Sequence, residues 1–361
     1  MSFSSVWKKI KQSKSFKPSR IIIPPENISP ELTNNNPFQR HQQYFSISIN
    51  ELYLVNGREW FTTWEPFVFI ASQFLYKNKM HTVPYFVGRK MLEGKVESVP
   101  EGMIFENTKV AGLHPYRGGD FSVSVVLGRA KNNDYLKKTL KIMENAAKTY
   151  IDGFGTAVLP YLKVANIVVD AYEELLDSND IEPLIGHSMM FQPDTQGGLH
   201  PGYFALINEA EDKIDPSRFF IIDGKLYKGK TKEKAKLYRE KDFVLYSILA
   251  SKHRSDVELL PYYEEFIKIQ EFIAGMGFSI ENENMKKINA KLFALLDRVY
   301  MSPDLIRSQV EEQMQEFRSS LKKMIDQRRP LAGRNPTETK PDERDEWEKK
   351  MDAELMDILN F

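Results

Sequence analysis

The heptapeptide His114-Pro-Tyr-Arg117-Gly-Gly-Asp120 holds the densest set of reactive groups in the chain. An imidazole can take a proton, a guanidinium can fork onto an anion, and a carboxylate can orient either one. The glycine pair permits a sharp turn, and strand-like sequence flanks the segment on both sides. His114, Tyr116, Arg117 and Asp120 therefore define a candidate binding loop at one end of a β structure. The plainer reading is a tight turn with Tyr116 packed on the rim and Arg117 paired with Asp120.

A second set lies in residues 177–202, which read as a long polar connection. His187, Asp194 and His200 have the side chains of a zinc or iron site, although two histidines thirteen residues apart, with Gln196, Gly197 and Gly198 between them, make a loose ligand set. The same stretch contains Gly186-His-Ser188-Met-Met190, a fragment of the nucleophile elbow G-x-S-x-G with Met190 in place of the second glycine. A base would have to come from His200 or His253. These residues support one alternative function, a metal-assisted or serine-type hydrolase using the 177–202 connection.

Gly224-Lys-Leu-Tyr-Lys-Gly229-Lys230-Thr231 satisfies the phosphate-loop pattern. Its middle residues are too large for backbone amides to wrap a phosphate. Residues 232–240 are also too charged for the buried helix that should follow. Asp223-Gly224 instead predicts a type I′ hairpin, and no nucleotide or other small-molecule cofactor is expected.

The elements that must position these groups follow from periodicity. Residues 44–55 alternate, with Phe45, Ile47 and Ile49 on one side, and residues 66–76 are apolar enough for a strand covered on both faces. Further strands are expected over 80–87, 103–110, 121–127, 203–207, 219–222, 225–227 and 243–249. Helical spacing marks 134–150 and 155–176, then 256–274 and 284–300. A last stripe of Leu305, Ile306, Val310, Met314, Phe317, Leu321 and Ile325 follows an N-cap at Ser302 and Pro303. The predicted class is α+β: an antiparallel, sandwich-like β domain over 41–250 with a helical pair inserted near 132–177, then a helical region over 251–329.

Composition bounds the function. The 361 residues carry fifty basic and fifty acidic side chains, so no net field favours nucleic acid. Cysteine is absent, which excludes disulfide scaffolds and thiol chemistry. With no long apolar run and no secretory signal at the start, a cytoplasmic location is expected.

The even total hides a basic head and an acidic tail. Residues 1–20 hold six basic residues and no acid, and residues 336–361 hold nine acids against four basic residues. The head, with Phe3, Val6, Trp7 and Ile10 among its lysines, reads with residues 21–40 as a Pro- and Asn-rich tail and linker. It carries a second alternative, peripheral membrane contact through residues 1–20. Residues 330–361 read as a linker and an acidic amphipathic tail. There Trp347, Met351, Leu355 and Leu359 recur every four residues and would fold against a protein partner.

Three segments resemble a poorly characterised bacterial family associated with defence or conflict gene cassettes. They are Asn36-Pro-Phe…Tyr44-Phe45…Leu52-Tyr-Leu54, Val110-Ala-Gly-Leu-His-Pro-Tyr-Arg-Gly-Gly119 and Pro201-Gly-Tyr-Phe-Ala-Leu-Ile207. The resemblance covers about residues 36–250. It consists of turn and strand residues, so it transfers no active site, and it implies a bacterial accessory protein. The role expected from residues and resemblance together is non-enzymatic: an adaptor, sensor or protease-controlled partner in a multi-protein system.

Overall fold

A computed structural model describes residues 3–32, 36–55, 64–77, 79–87, 103–131, 158–177, 180–191, 200–276 and 282–328. Its helices are α1 (Phe3–Gln12), α2 (Val158–Asp177), α3 (Tyr263–Ala274), α4 (Asn282–Tyr300) and α5 (Arg307–Arg328). Three short strands open the sheets: β1 (Lys17–Pro18), β2 (Ile21–Ile22) and β3 (Ile28–Ser29). Six long ones follow: β4 (Tyr44–Leu54), β5 (Trp64–Tyr76), β6 (Lys79–Val87), β7 (Met103–Pro115), β8 (Phe121–Lys131) and β9 (Ile181–Phe191). The rest are β10 (Gly202–Ile207), β11 (Phe219–Ile222), β12 (Lys225–Lys228), β13 (Lys236–Leu237) and β14 (Phe243–Ser251).

They build an α+β fold from two five-stranded sheets, ordered β1-β9-β8-β5-β6 and β2-β10-β14-β4-β7, and a four-stranded sheet, β13-β12-β11-β3. Every pairing is antiparallel except β1 on β9 and β3 on β11. The two faces of the long strands explain the layering. Val68, Ile70 and Phe74 of β5 and Val123, Val125 and Leu127 of β8 share one core with Phe45, Ile47 and Ile49 of β4 and Val244, Tyr246 and Ile248 of β14. The opposite face of β5, Phe67, Phe69 and Ala71, packs under α1 and α2. The small third sheet covers the outer face of the second through Ile221, Leu226, Ala205 and Leu245. Helices α3, α4 and α5 form a core of their own around Phe266, Leu295, Val299, Met314 and Phe317.

The hairpin expected at Asp223-Gly224 is present: Ile222 pairs with Lys225, and both turn residues have positive φ, 50° and 76°. A short 3-10 turn, Lys232–Lys234, and β13 follow it. The helix that a phosphate loop needs is therefore not there.

Several expectations are corrected. Residues 3–32 are not a tail and linker but part of the fold. A ten-residue helix is marginal alone, yet α1 buries Val6 and Ile10 completely against the first sheet and α2. Each such burial contributes on the order of 1.5–3 kcal/mol. Lys9 reaches Glu173 and Asp177 of α2 at 2.8 Å. This inward side is the one that membrane contact through residues 1–20 would have used. Residues 181–191 are not a polar connection but strand β9, and residues 303–306 precede α5 without being helical, so Ser302 is not its N-cap. The expected helix at 134–150 lies outside the described residues. No helix among the described residues is long and apolar enough to cross a membrane.

Candidate functional site

The heptapeptide forms the β7–β8 turn. Gly118 and Gly119 adopt φ of 85° and 77°, a left-handed conformation that side-chain-bearing residues rarely take. Tyr116 is buried, as the turn reading expects, and donates its hydroxyl to the Gly119 carbonyl at 3.3 Å. His114 is fully buried, with its ring stacked on Phe74 at 5.1 Å and edge-on to Phe45 at 5.6 Å. It is a core histidine, closed to a substrate.

Arg117 does not pair with Asp120. Its Nη2 donates to the carbonyls of Ser302, Pro303 and Leu305 at 3.3, 3.1 and 2.8 Å, and its Nη1 lies 3.1 Å from His41 Nδ1. Burial lowers the Arg117 pKa below its ordinary value. His41 is also lowered, by burial first and then by the charges of Arg117 and Arg40. Asp120 points to solvent. The supposed binding loop is a joint that grips the segment leading into α5.

Three residues that the sequence did not single out complete this joint. Tyr44 donates to Gln309 Oε1 at 2.7 Å and accepts from the Ile306 amide at 2.9 Å. Gln309 also accepts from the Arg254 amide at 3.1 Å and donates to the Arg254 carbonyl at 2.7 Å. Arg254, wholly buried, donates to the Asp304 carbonyl and to Asp256 Oδ1, both at 2.7 Å. Burial drives the Tyr44 hydroxyl up to about 12, so it stays a neutral donor. A signal was available: Gln309 and Gln313 fall on the buried stripe of α5, four residues apart, where a polar side chain needs a partner.

The 177–202 candidates do not come together. His187 sits inside the β body, half-buried, with Nε2 3.4 Å from Arg20 Nη1. Burial and then the Arg20 charge lower its pKa to about 4, so it is neutral. Ser188 lies on the opposite face of β9 and shares a 2.7 Å hydrogen bond with Ser124. Gly186 through Met190 run as regular strand, not as an elbow. His200 is exposed before β10, and Asp194 lies outside the described residues. Among the described residues no three metal-ligating side chains cluster. The tail residues Trp347, Met351, Leu355 and Leu359 also lie outside them.

One apolar surface stands out in the helical region. On α4, Phe293, Ala294, Asp297 and Tyr300 share an outward stripe that continues to Met301, and Phe293, Tyr300 and Met301 are 36%, 53% and 69% exposed. The opposite side of the helix supplies Ile288, Leu295, Leu296 and Val299 to the helical core. Comparison with protein-family models, curated proteins and solved structures found no match.

Proposed function

We propose that this protein is a non-catalytic adaptor that works by binding a protein partner, within a bacterial multi-protein system of the defence or conflict kind. The observation that carries this reading is the outward stripe of α4. Large apolar side chains exposed in one row are the usual mark of an interaction surface. The joint at Arg117, Tyr44 and Arg254 supports the same reading, because it fixes the helical region to the β body and so presents the stripe on a rigid support.

A photo-crosslinking residue placed at Phe293 tests this in the native cell. It should trap one dominant protein species, and the adduct should fall sharply when Tyr300→Glu is added. The same residue at Lys323, exposed on α5, should trap little. Equal yields from both positions, or no adduct at Phe293, would refute the adaptor reading.

A further inference from the structure

Where residues 17–22 pass from the first sheet to the second, Arg20 enters the gap between them. Ser19 fixes its direction. The Ser19 hydroxyl is fully buried, donates to the Ile207 carbonyl at 2.6 Å and accepts from the Ile207 amide at 2.9 Å. By strand alternation Arg20 then faces the other way, as does Ile22, which pairs with Phe204 of β10.

Near the guanidinium stand His187 and Met189 of β9 and Tyr246 of β14, whose ring stacks on Phe204 of β10 at 5.2 Å. Arg20 Nη1 contacts Met189 Sδ at 3.1 Å and His187 Nε2 at 3.4 Å. Neither a thioether nor a neutral imidazole carries negative charge. No carboxylate among the described residues pairs with Arg20. Tyr246, completely buried, has no hydrogen-bond partner for its hydroxyl among the described residues, and it feels the Arg20 charge. A guanidinium without a counter-ion beside an unpartnered buried hydroxyl is an incomplete polar set.

We infer that this inter-sheet site binds the carboxylate of a small molecule with an apolar body, the carboxylate on Arg20 and the body leading outward over Ile22. Ile22, 46% exposed, marks the open edge by which such a molecule enters. A carboxylate fits better than a phosphate because a single guanidinium supplies one positive charge and the neighbouring His187 adds none. The site is independent of the partner surface on α4.

Octanoate is the probe, added to the full chain, with octanol and inorganic phosphate as comparators. Octanoate should raise the melting temperature and shift the imidazole nitrogen resonances of His187, and the other two should do neither. Arg20→Gln should weaken octanoate at least about tenfold. Tyr246→Phe, which keeps the ring stack, should weaken it roughly fivefold. The His187 resonance is read in the unmodified protein, so the test survives if Arg20→Gln fails to fold. An unmoved His187 resonance at millimolar octanoate, or octanol or phosphate matching octanoate, overturns the inference.

Discussion

Arg117→Ala should loosen the helical region while leaving the sheets intact. Three carbonyls converge on Nη2, which has two hydrogens, so they count as about two charge-assisted bonds. Such bonds contribute roughly 1.5–3 kcal/mol each, and the freed carbonyls recover part of this from water. The expected loss is about 2–4 kcal/mol, placed on the joint and not on the whole fold. Native-state hydrogen exchange reads it directly. A cost of about 2 kcal/mol raises the opening constant roughly thirtyfold, so amides of α3, α4 and α5 should exchange at least that much faster. Amides of β4, β8 and β14 should keep their protection. Arg117→Lys should fall between, because a single ammonium lacks the planar fork of the guanidinium. If the helical amides exchange within threefold of the unmodified protein, or if all amides accelerate together, the joint does not hold the helical region in the way described.

Gln309→Ala removes at once the acceptor of the Tyr44 hydroxyl and the partners of the Arg254 amide and carbonyl; it should cost about 3 kcal/mol by denaturant titration. Gly128→Ala should cost about 1–3 kcal/mol in a thermal melt. A Cβ there would meet the Phe67 ring at 2.3 Å, and that ring is held by Phe86 and Tyr172. His187 should make the fold acid-sensitive. Its folded pKa is depressed from 6.5 to about 4. Above pH 6.5 both states are neutral there, and as pH falls from 6.5 to 4 the unfolded chain takes up a proton that the folded chain refuses, so stability drops. Because the site is partly open, the loss should be about 1–2 kcal/mol. His187→Gln should flatten that part of the stability–pH curve, and an unchanged slope would show that other groups carry it.

The long strands are legible because their inner and outer residues alternate over long runs, as in β8 and in the first half of β4, before the bulge at Asn50. Strand β9 is not, and its register explains why. Leu127 pairs with Ile185 but Gly128 pairs with Pro183, leaving Leu184 as an extra residue. That bulge breaks the period of two in a segment already marked by proline and glycine, so the run resembles a loop. The head conceals its helix for a different reason. Six cations without an acid look like a solvated tail, and Val6 and Ile10 alone are a weak helical signal. The acids that complete α1, Glu173 and Asp177, stand on α2, more than 160 residues further along the chain.

The same distance in sequence governs the arginines. A guanidinium that will hold an external anion and one that will collect the carbonyls of a remote loop present the same donors, so local sequence cannot separate them. Arg117 read as a site residue because histidine, glycine and aspartate surround it, yet its acceptors lie 185–188 residues away, at Ser302, Pro303 and Leu305. Arg254, in unremarkable sequence, closes onto Asp256 and the Asp304 carbonyl. Both charges are met by anions or oriented dipoles of the chain itself, and their function is to hold one part of the fold on another. Arg20, part-buried, turns inward as well, from a segment that resembles a solvated tail, and meets a sulfur and a neutral imidazole. A guanidinium is drawn out of water by what balances it. Arg117 and Arg254 find that balance inside the chain. For Arg20 no described group supplies it, so a bound anion has most to contribute between the two sheets and least at the loop whose composition first drew notice.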